Sequence, residues 1–230
     1  HAYNACIHDQ KIPGTSMLRE SSTPSKQALR QAISIAMDYE EYIRLFANGR
    51  GTAAHGPIPP GLFGYQEGQA GMNKIVYYWD NGKAKRKPIE VARELMVKAG
   101  YPNGVDPATG RALMLTFSVT GSSGGDDSYR FKWYKKQFAK LGISLRIQST
   151  DWSTYQDKMK QGKVQIYTLG WNLDYPDPEN FLFLLEGNQG KVDHNGENVS
   201  NYDRQDVNVL IDQIRHLPDD DLRLEKINQV

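Results

Sequence analysis

An α/β fold built around a parallel sheet follows from three observations in this sequence. Segments 112–120, 143–149 and 164–169 alternate apolar and polar residues, the period of a strand with one buried face. Helix-period segments near 127–141 and 152–162 separate them, each closed by a glycine, Gly142 and Gly162. The connections are short. A β-α-β-α-β order of this kind demands parallel neighbours joined by right-handed crossovers.

Taken in order, the chain opens with weak signals. Ala2 to His8 is compatible with a strand, and Lys11 to Pro24, rich in Ser, Thr, Gly and Pro, reads as loop. A helix follows Pro24, with Leu29, Ile33 and Ala36/Met37 at three- and four-residue spacing. Asp38 and Glu41 form a capping-box pattern that starts a second helix, which runs through Phe46 and stops near Gly49. Gly56-Pro57-Ile58-Pro59-Pro60-Gly61 is a stiff loop, since its prolines suit neither a helix nor a central strand.

Trp79-Asp80-Asn81-Gly82 is a turn, and the basic run Lys83 to Lys87 reads as a solvated loop rather than a phosphate contact. Pro88 begins a helix with Ala92, Leu95, Met96 and Ala99 inward and Gly100 at its end. In the first strand of the β-α-β-α-β run, Leu113, Leu115, Phe117 and Val119 share the more buried face. Asp126 and Asp127 cap a helix with Phe131, Tyr134, Phe138 and Leu141 inward. Ile143, Leu145 and Ile147 mark the second strand, and Asp151 caps a helix carrying Trp152, Tyr155 and Met159.

The third strand uses Val164, Ile166 and Leu169, and Gly170 is expected to end it. Asp177-Pro178 then provides an N-cap and a first helical position, and Phe181 to Leu185 supply the apolar face of that helix. Glu186 to Asn201 is a long polar loop. Val207, Leu210, Ile211 and Ile214 give a helix before Pro218, and Leu222 to Val230 reads as the opening of a further helix after Asp219-Asp220-Asp221.

The totals narrow the function. Hydrophobic content is 39% and charged content 24%, values of a globular protein with enough apolar material for one large domain or two small ones. A net charge of +1 gives no bulk electrostatic case for nucleic acid or an anionic membrane. No run of about 18 apolar residues is present to span a bilayer. The single cysteine, Cys6, rules out an internal disulfide, and the polar start at His1 shows no signal peptide.

Between the third strand and the next helix lies Trp171-Asn172-Leu173-Asp174-Tyr175-Pro176, a loop with two large aromatics, an amide and a carboxylate. Ligands of open α/β sheets sit beyond the carboxyl ends of the strands, which makes this loop the candidate site. Trp171 and Tyr175 flank Asp174, a combination that suits a cationic, partly apolar group; the plainer reading makes both aromatics core residues. Among nearby carboxylates, Asp177 serves as a cap and Glu179 lies in a first helical turn, where the dipole favours negative charge. Asp174 alone lacks a structural role, so a glycosidase-type pair is the weaker reading.

Other signals carry less. Gly121 to Gly125 sits between strand and helix but matches no phosphate-binding pattern, and Asp126 and Asp127 would repel an anion; it reads as a connector. His1, His8, His55, His194 and His216 show no metal-ligand spacing. Asn198-Val199-Ser200 matches a glycosylation acceptor, a tripeptide that arises often by chance.

Four ordered segments carry a family resemblance: LRQAISIAMDYEEYI (Leu29 to Ile43), AHGPIPPGLFGY (Ala54 to Tyr65), VARELMVKAGYPNG (Val91 to Gly104) and GWNLDYPDPENFLFLL (Gly170 to Leu185). Together they resemble the extracellular solute-binding proteins of family 5, the peptide-, opine- and nickel-binding receptors of bacterial ABC importers. Gly196 to Ile211 fits the family's later segment, with Asn208 where an aspartate is usual. The resemblance spans nearly the whole chain.

It implies an α/β, periplasmic-binding-protein-like lobe of a type II, two-lobed receptor, with a mixed sheet on the β-α-β-α-β core. Residues 1–24 would be an inter-lobe strand and loop, 25–217 the ligand-binding lobe, and 218–230 the start of a truncated helix. By the same resemblance Asp174 meets the α-ammonium of an oligopeptide, with Trp171 three residues earlier lining the pocket. Thr168 and Leu169 are uncharged and offer no partner for a peptide carboxylate. The expected protein is a monomeric binding module without cofactor or metal and not an enzyme. It would work outside the cytoplasm, periplasmic or membrane-anchored, with the permease subunits of an importer and no nucleic acid as partner. The alternatives are an oligosaccharide, opine or nickel chelate as solute, and, outside the family, a carboxylate-dependent hydrolase using Asp174.

Overall fold

The computed structural model describes residues 2–7, 23–121 and 126–230. The loop expected over Lys11 to Pro24 falls mostly outside them, as does most of the connector Gly121 to Gly125. In chain order the elements are β1 (Ala2–Ile7), α1 (Pro24–Ala36), α2 (Tyr39–Phe46), α3 (Gly68–Gly71), β2 (Tyr77–Asp80), β3 (Lys83–Arg86), α4 (Ile89–Lys98), β4 (Val105–Asp106) and β5 (Arg111–Ala112). Then come β6 (Met114–Thr120), α5 (Asp126–Ala139), β7 (Ser144–Thr150), α6 (Trp152–Lys160), β8 (Ile166–Trp171), α7 (Glu179–Leu182), α8 (Lys191–His194), α9 (Gln205–His216) and α10 (Asp221–Gln229).

The main sheet has the order β1-β8-β6-β7. β6 pairs in parallel with β7 along its length, Met114 opposite Ser144 through Thr120 opposite Thr150. On its other side β6 pairs in parallel with β8, through Phe117–Ile166 and Ser118–Tyr167. β1 adds an antiparallel edge to β8, from Ala2–Trp171 to Ile7–Ile166, so the sheet is mixed as expected. The three strands read from the sequence lie side by side in one sheet.

β8 is shifted toward the carboxyl end relative to the segment 164–169, for a reason no local pattern contains. The side-chain oxygen of Gln165 accepts the amide of Thr116 at 2.7 Å, a side chain standing where a strand carbonyl would. Gly170 does not end the strand either, because β1 pairs opposite Gly170 and Trp171 and extends it.

The strand alternation sorts side chains onto two faces. Leu115, Phe117, Val119, Leu145 and Ile166 meet Trp133, Tyr134 and Phe138 of α5, and Ile33 and Met96 from α1 and α4, in one large core. Ala28, Ala32 and Ala36 recur every fourth residue on α1, and with Ala92 and Ala99 they let α1 and α4 approach closely. On the opposite face Tyr155 and Met159 of α6 pack with Val164, Tyr167 and Val199. Trp152, at helical spacing from them on the same helix, is 52% exposed. A third cluster joins Ile58 and Leu182 to Val207, Ile211 and Ile214 of α9 and Ile227 of α10.

Caps behave largely as their sequence positions suggest. Asp38 accepts the amide of Glu41 at 2.9 Å and Asp151 that of Thr154 at 3.0 Å. The Glu41 carboxylate then reaches α5, accepting from Trp133 Nε1 at 2.7 Å and Gln137 Nε2 at 3.0 Å. The basic run 83–87 is not a solvated loop. Asn81 and Gly82, with φ of 48° and 77°, make the tight turn of a hairpin that turns 83–86 into β3. Arg86 caps the end of α1, donating to the carbonyls of Ile35 at 2.6 Å and Met37 at 2.7 Å and to Glu40 at 3.0 Å.

Asn198 is fully buried, its amide donating to the carbonyls of Glu186 and Tyr202. The matching tripeptide is therefore a structural asparagine with no room for a glycan in the folded chain. The polar stretch 186–201 around it is partly ordered by short helical turns, including α8.

The core dictates an alkaline response. Tyr155 is 1% exposed and donates to the carbonyl of Thr168 at 2.8 Å. Burial pushes its phenol from 10.0 up to about 12. A folded-state value above the unfolded one means this contribution is complete below pH 10 and is lost as pH rises toward 12. Denaturant titrations should show a fall of about 2–3 kcal/mol from this residue over that window. Tyr155→Phe should flatten the decline by that amount, and an unchanged slope would refute the assignment.

Candidate functional site at the carboxyl edge of the sheet

The chain leaves β6 toward β7 on one side while β8 lies on the other, so the strand order reverses at the carboxyl ends of β6 and β8. The segments emerging there are the entry to α5, the start of α6 and the loop after β8. Each presents an exposed aromatic: Tyr129 in the first turns of α5, Trp152 at the start of α6, and Tyr175 after β8, with Leu173 beside it in sequence. Large apolar side chains concentrated at a strand-end crevice suit a ligand with apolar parts.

Trp171 is the last residue of β8 and is half-buried. Its indole N–H donates to Asn180 Oδ1 at 3.2 Å, and its ring meets Phe183 edge-on at 5.2 Å. The amide of Asp174 donates to the same Asn180 oxygen at 3.0 Å. Asn180 is 2% exposed, so one buried oxygen holds both ends of the turn 171–174. The Asp174 carboxylate is exposed, and among the described residues no ion pair or hydrogen bond engages it.

Tyr175 points back along the loop and donates its hydroxyl to the carboxylate of Glu179. That hydrogen bond raises the Tyr175 phenol above its ordinary value. Glu179 also accepts from Arg215 Nε at 3.1 Å, and Arg215 reaches Glu186 at 2.8 Å. Asp177 accepts the amide of Glu179 at 2.8 Å and both of its oxygens face Arg223 Nη2 at 2.8 Å. Asp177 bonds the Glu179 amide, but Pro178 is the N-cap of α7, and the helix is shorter than the one expected from Pro178 through Leu185. α7 spans only Glu179–Leu182, followed by a 3₁₀ turn at Phe183–Leu185.

All three sequence-derived site residues therefore lie in one loop at the carboxyl edge, tied to α7. Sequence reading missed Asn180 and Trp152. Asn180 follows Glu179 inside a helix start, where an asparagine looks ordinary until its oxygen is found between two donors. Trp152 sits at a helical spacing from Tyr155 and Met159 that suggests a common inward face; only its position in the first turn, beyond the end of β7, leaves it outside the core.

A cavity of about 570 Å³ opens elsewhere, between α1, α2, residues 50–60 and the sheet, lined by Tyr42, His55, Tyr77, Phe117 and Tyr134 among others. It touches none of Trp171, Asp174 and Tyr175. The loop differs from this space in presenting an exposed carboxylate, since no Asp or Glu lines the cavity, whose polar lining includes Arg50, His55, Asn73 and Arg86. Among the described residues no group of three or more His, Cys, Asp and Glu could hold a metal, and no helix is long and apolar enough to cross a membrane.

Residues 16–193 match the family described as bacterial extracellular solute-binding proteins, family 5 Middle. The chain belongs to this family. Heme-binding protein A of Haemophilus influenzae is 25% identical over 185 residues, covering 80% of this chain and 30% of its own length. The dipeptide-binding protein of Escherichia coli is 25% identical over 228 residues, covering 97% of this chain and 39% of its own. Among solved structures, the ABC transporter-associated periplasmic binding protein DppA from Helicobacter pylori, in complex with the peptide STSA, superposes with a TM-score of 0.72 at 24% identity. It covers 99% of this chain and 38% of that one. The fold is that of a periplasmic-binding-protein lobe, and the chain spans about a third of the length of the curated relatives it matches.

The geometry makes Asn180 the anchor of the turn 171–174. Asn180→Ala should cost about 1–3 kcal/mol by leaving buried donors unpaired. Hydrogen exchange at the Asp174 amide should speed up well beyond the global change, whereas Asn180→Asp, which keeps an acceptor, should stay closer to the native protein. An unaltered Asp174 exchange rate in Asn180→Ala would dismiss the anchor.

Proposed function

We propose that this chain is the ligand-binding lobe of an extracytoplasmic receptor that captures a short peptide between two lobes and delivers it to the permease subunits of an ABC importer. The observation that carries the reading is the Asp174 carboxylate, exposed at the carboxyl edge of the sheet without an ion-pair partner among the described residues. Trp171 and Tyr175 stand on either side of it in sequence. A peptide brings an α-ammonium for the carboxylate and apolar side chains for the aromatic surfaces. Membership of a solute-binding family and relatives named for dipeptide binding support a receptor of this type.

The receptor acts as a monomer, with β1 belonging to the connection between lobes and residues 25–217 forming the binding lobe. Closure by hinge motion would remove water from the Asp174–ammonium pair and strengthen it. A hydrolase is the poorer reading because the other carboxylates of the loop are engaged: Asp177 by Arg223, and Glu179 by Arg215 and Tyr175. Thr168 and Leu169, uncharged and upstream of the loop, offer no partner for a peptide carboxylate, and the second reading is a different solute of the same receptor family: an oligosaccharide, opine or nickel chelate.

In the protein that carries this chain, Asp174→Asn should keep the shape of the loop and lower affinity for a free-amine peptide by roughly thirtyfold to a few thousandfold. That range corresponds to about 2–5 kcal/mol for one partner of a desolvated charge pair. An N-acetylated peptide should bind weakly to both forms and lose little more in the variant. Equal losses for the two peptides in calorimetry would make Asp174 structural.

The two-lobe reading has its own test. The 230-residue chain alone should fold yet bind such a peptide far more weakly than the two-lobed receptor, because half the contacts are missing while the entropic cost of association remains. Equal affinities would rule out a binding cleft shared with a second lobe.

A further inference from the structure

The loop that carries Asp174 has little apolar attachment of its own. Asn172, Leu173, Asp174, Tyr175 and Pro176 are all exposed, so its place depends on polar ties. One tie is the Asn180 oxygen within the loop's own segment. The other comes from α10, nearly fifty residues further along the chain.

Arg223 is 4% exposed, and each of the three nitrogens of its guanidinium has a defined partner. Nη2 meets both oxygens of Asp177 at 2.8 Å, Nε donates to the carbonyl of Ile214 in the last turn of α9 at 3.0 Å, and Nη1 donates to Asp219. Its guanidinium carbon lies 5.9 Å from the ring centre of Phe63. The backbone amide of Arg223 is itself fixed by Asp220 at 2.9 Å. On the loop side, the Asp177 amide donates to the carbonyl of Tyr175 at 2.8 Å, and the Asp177 carbonyl accepts the amide of Asn180 at 3.1 Å. A continuous chain of bonds therefore runs from Arg223 through Asp177 and Asn180 to the backbone of Asp174.

We propose that Arg223 is a positioning residue for ligand binding: by holding Asp177 against α9 and α10 it sets the place of the Asp174 carboxylate at the carboxyl edge of the sheet. The proposal rests on Asp174 as the partner of a ligand ammonium. A planar, permanently charged guanidinium suits this task, since its donors hold three groups in one fixed arrangement that a lysine cannot reproduce. The tie also makes the α9–α10 pair part of the binding apparatus without its touching ligand.

The test uses the protein that carries this chain, trialanine and N-acetyl-trialanine as probes, and calorimetry on variants shown folded by thermal unfolding. Arg223→Met should lower affinity for trialanine about tenfold, within the range for coupled neighbouring groups, and change that for the acetylated peptide less than about threefold. In an Asp174→Asn background the same substitution should have almost no further effect on trialanine. Arg223→Lys should recover part of the free-amine preference. Equal losses for both peptides, or full additivity with Asp174→Asn, would overturn the proposal and leave Arg223 a purely structural residue. If Arg223→Met does not fold, Asp177→Asn, which leaves the arginine in place, serves for the same measurement: a loss confined to trialanine supports the positioning role, and equal losses overturn it. If the native protein does not distinguish the two probes, the Asp174 reading fails, and this positioning role falls with it; a native preference that survives in Arg223→Met defeats the positioning role alone.

Discussion

The central strand β6 is paired on both edges and buried along the face of Leu115, Phe117 and Val119, and the candidate site inherits its geometry from that constraint. Backbone groups in such a place must all find partners, which locks β7 and β8 into parallel register beside it. Parallel neighbours need crossovers, and α5 and α6 supply them on opposite faces of the sheet. The carboxyl ends of three strands then stand level on one edge. Tyr129, Trp152 and the 171–176 loop all follow strand ends on that edge, because the parallel pairing of β6 makes each connection leave from it.

Apolar packing makes this scaffold but does not place the loop, whose residues 172–176 are exposed. Buried polar groups place it instead. Asn180 gathers two donors on one oxygen, Arg223 holds Asp177, and Arg215 bridges Glu179 and Glu186. Buried charges are costly to desolvate, and their net contribution to stability is small when each is paired. Their value lies in direction: a bidentate or shared contact has one geometry, where an apolar contact tolerates many. The same device recurs away from the site, in Glu41 joining α2 to α5 and in Arg86 closing the end of α1.

Relatives of this chain are named for heme and for dipeptides, although they share one lobe architecture. A rigid sheet with its loops at one edge accommodates that variety, because ligand choice can change in the loops while the strands remain. Engagement of Asp177 and Glu179 by arginines separates two roles that look alike in sequence. Three carboxylates within six positions divide into two that hold the loop and one that faces outward.

The sequence by itself determined the β-α-β-α-β core, the helices before and after it, the caps at Asp38 and Asp151, and the position of the loop 171–176 at the carboxyl end of the third strand. These features follow from short-range periodicity and from capping chemistry, which act between residues a few positions apart. Tertiary structure alone decided the rest. The limits of β8 depend on Gln165 bonding to Thr116 and on β1 pairing from the far end of the chain. The basic run 83–86 pairs with β2 as a hairpin strand, and Arg86 at its end reaches the carbonyls of α1, some fifty positions away. Trp152 lies outside the core, and Arg223 holds Asp177 from 46 positions away, a contact whose partner no local window contains. A hydrogen bond or ion pair between distant segments leaves no periodic trace in a sequence; it exists only once packing has brought its two ends together.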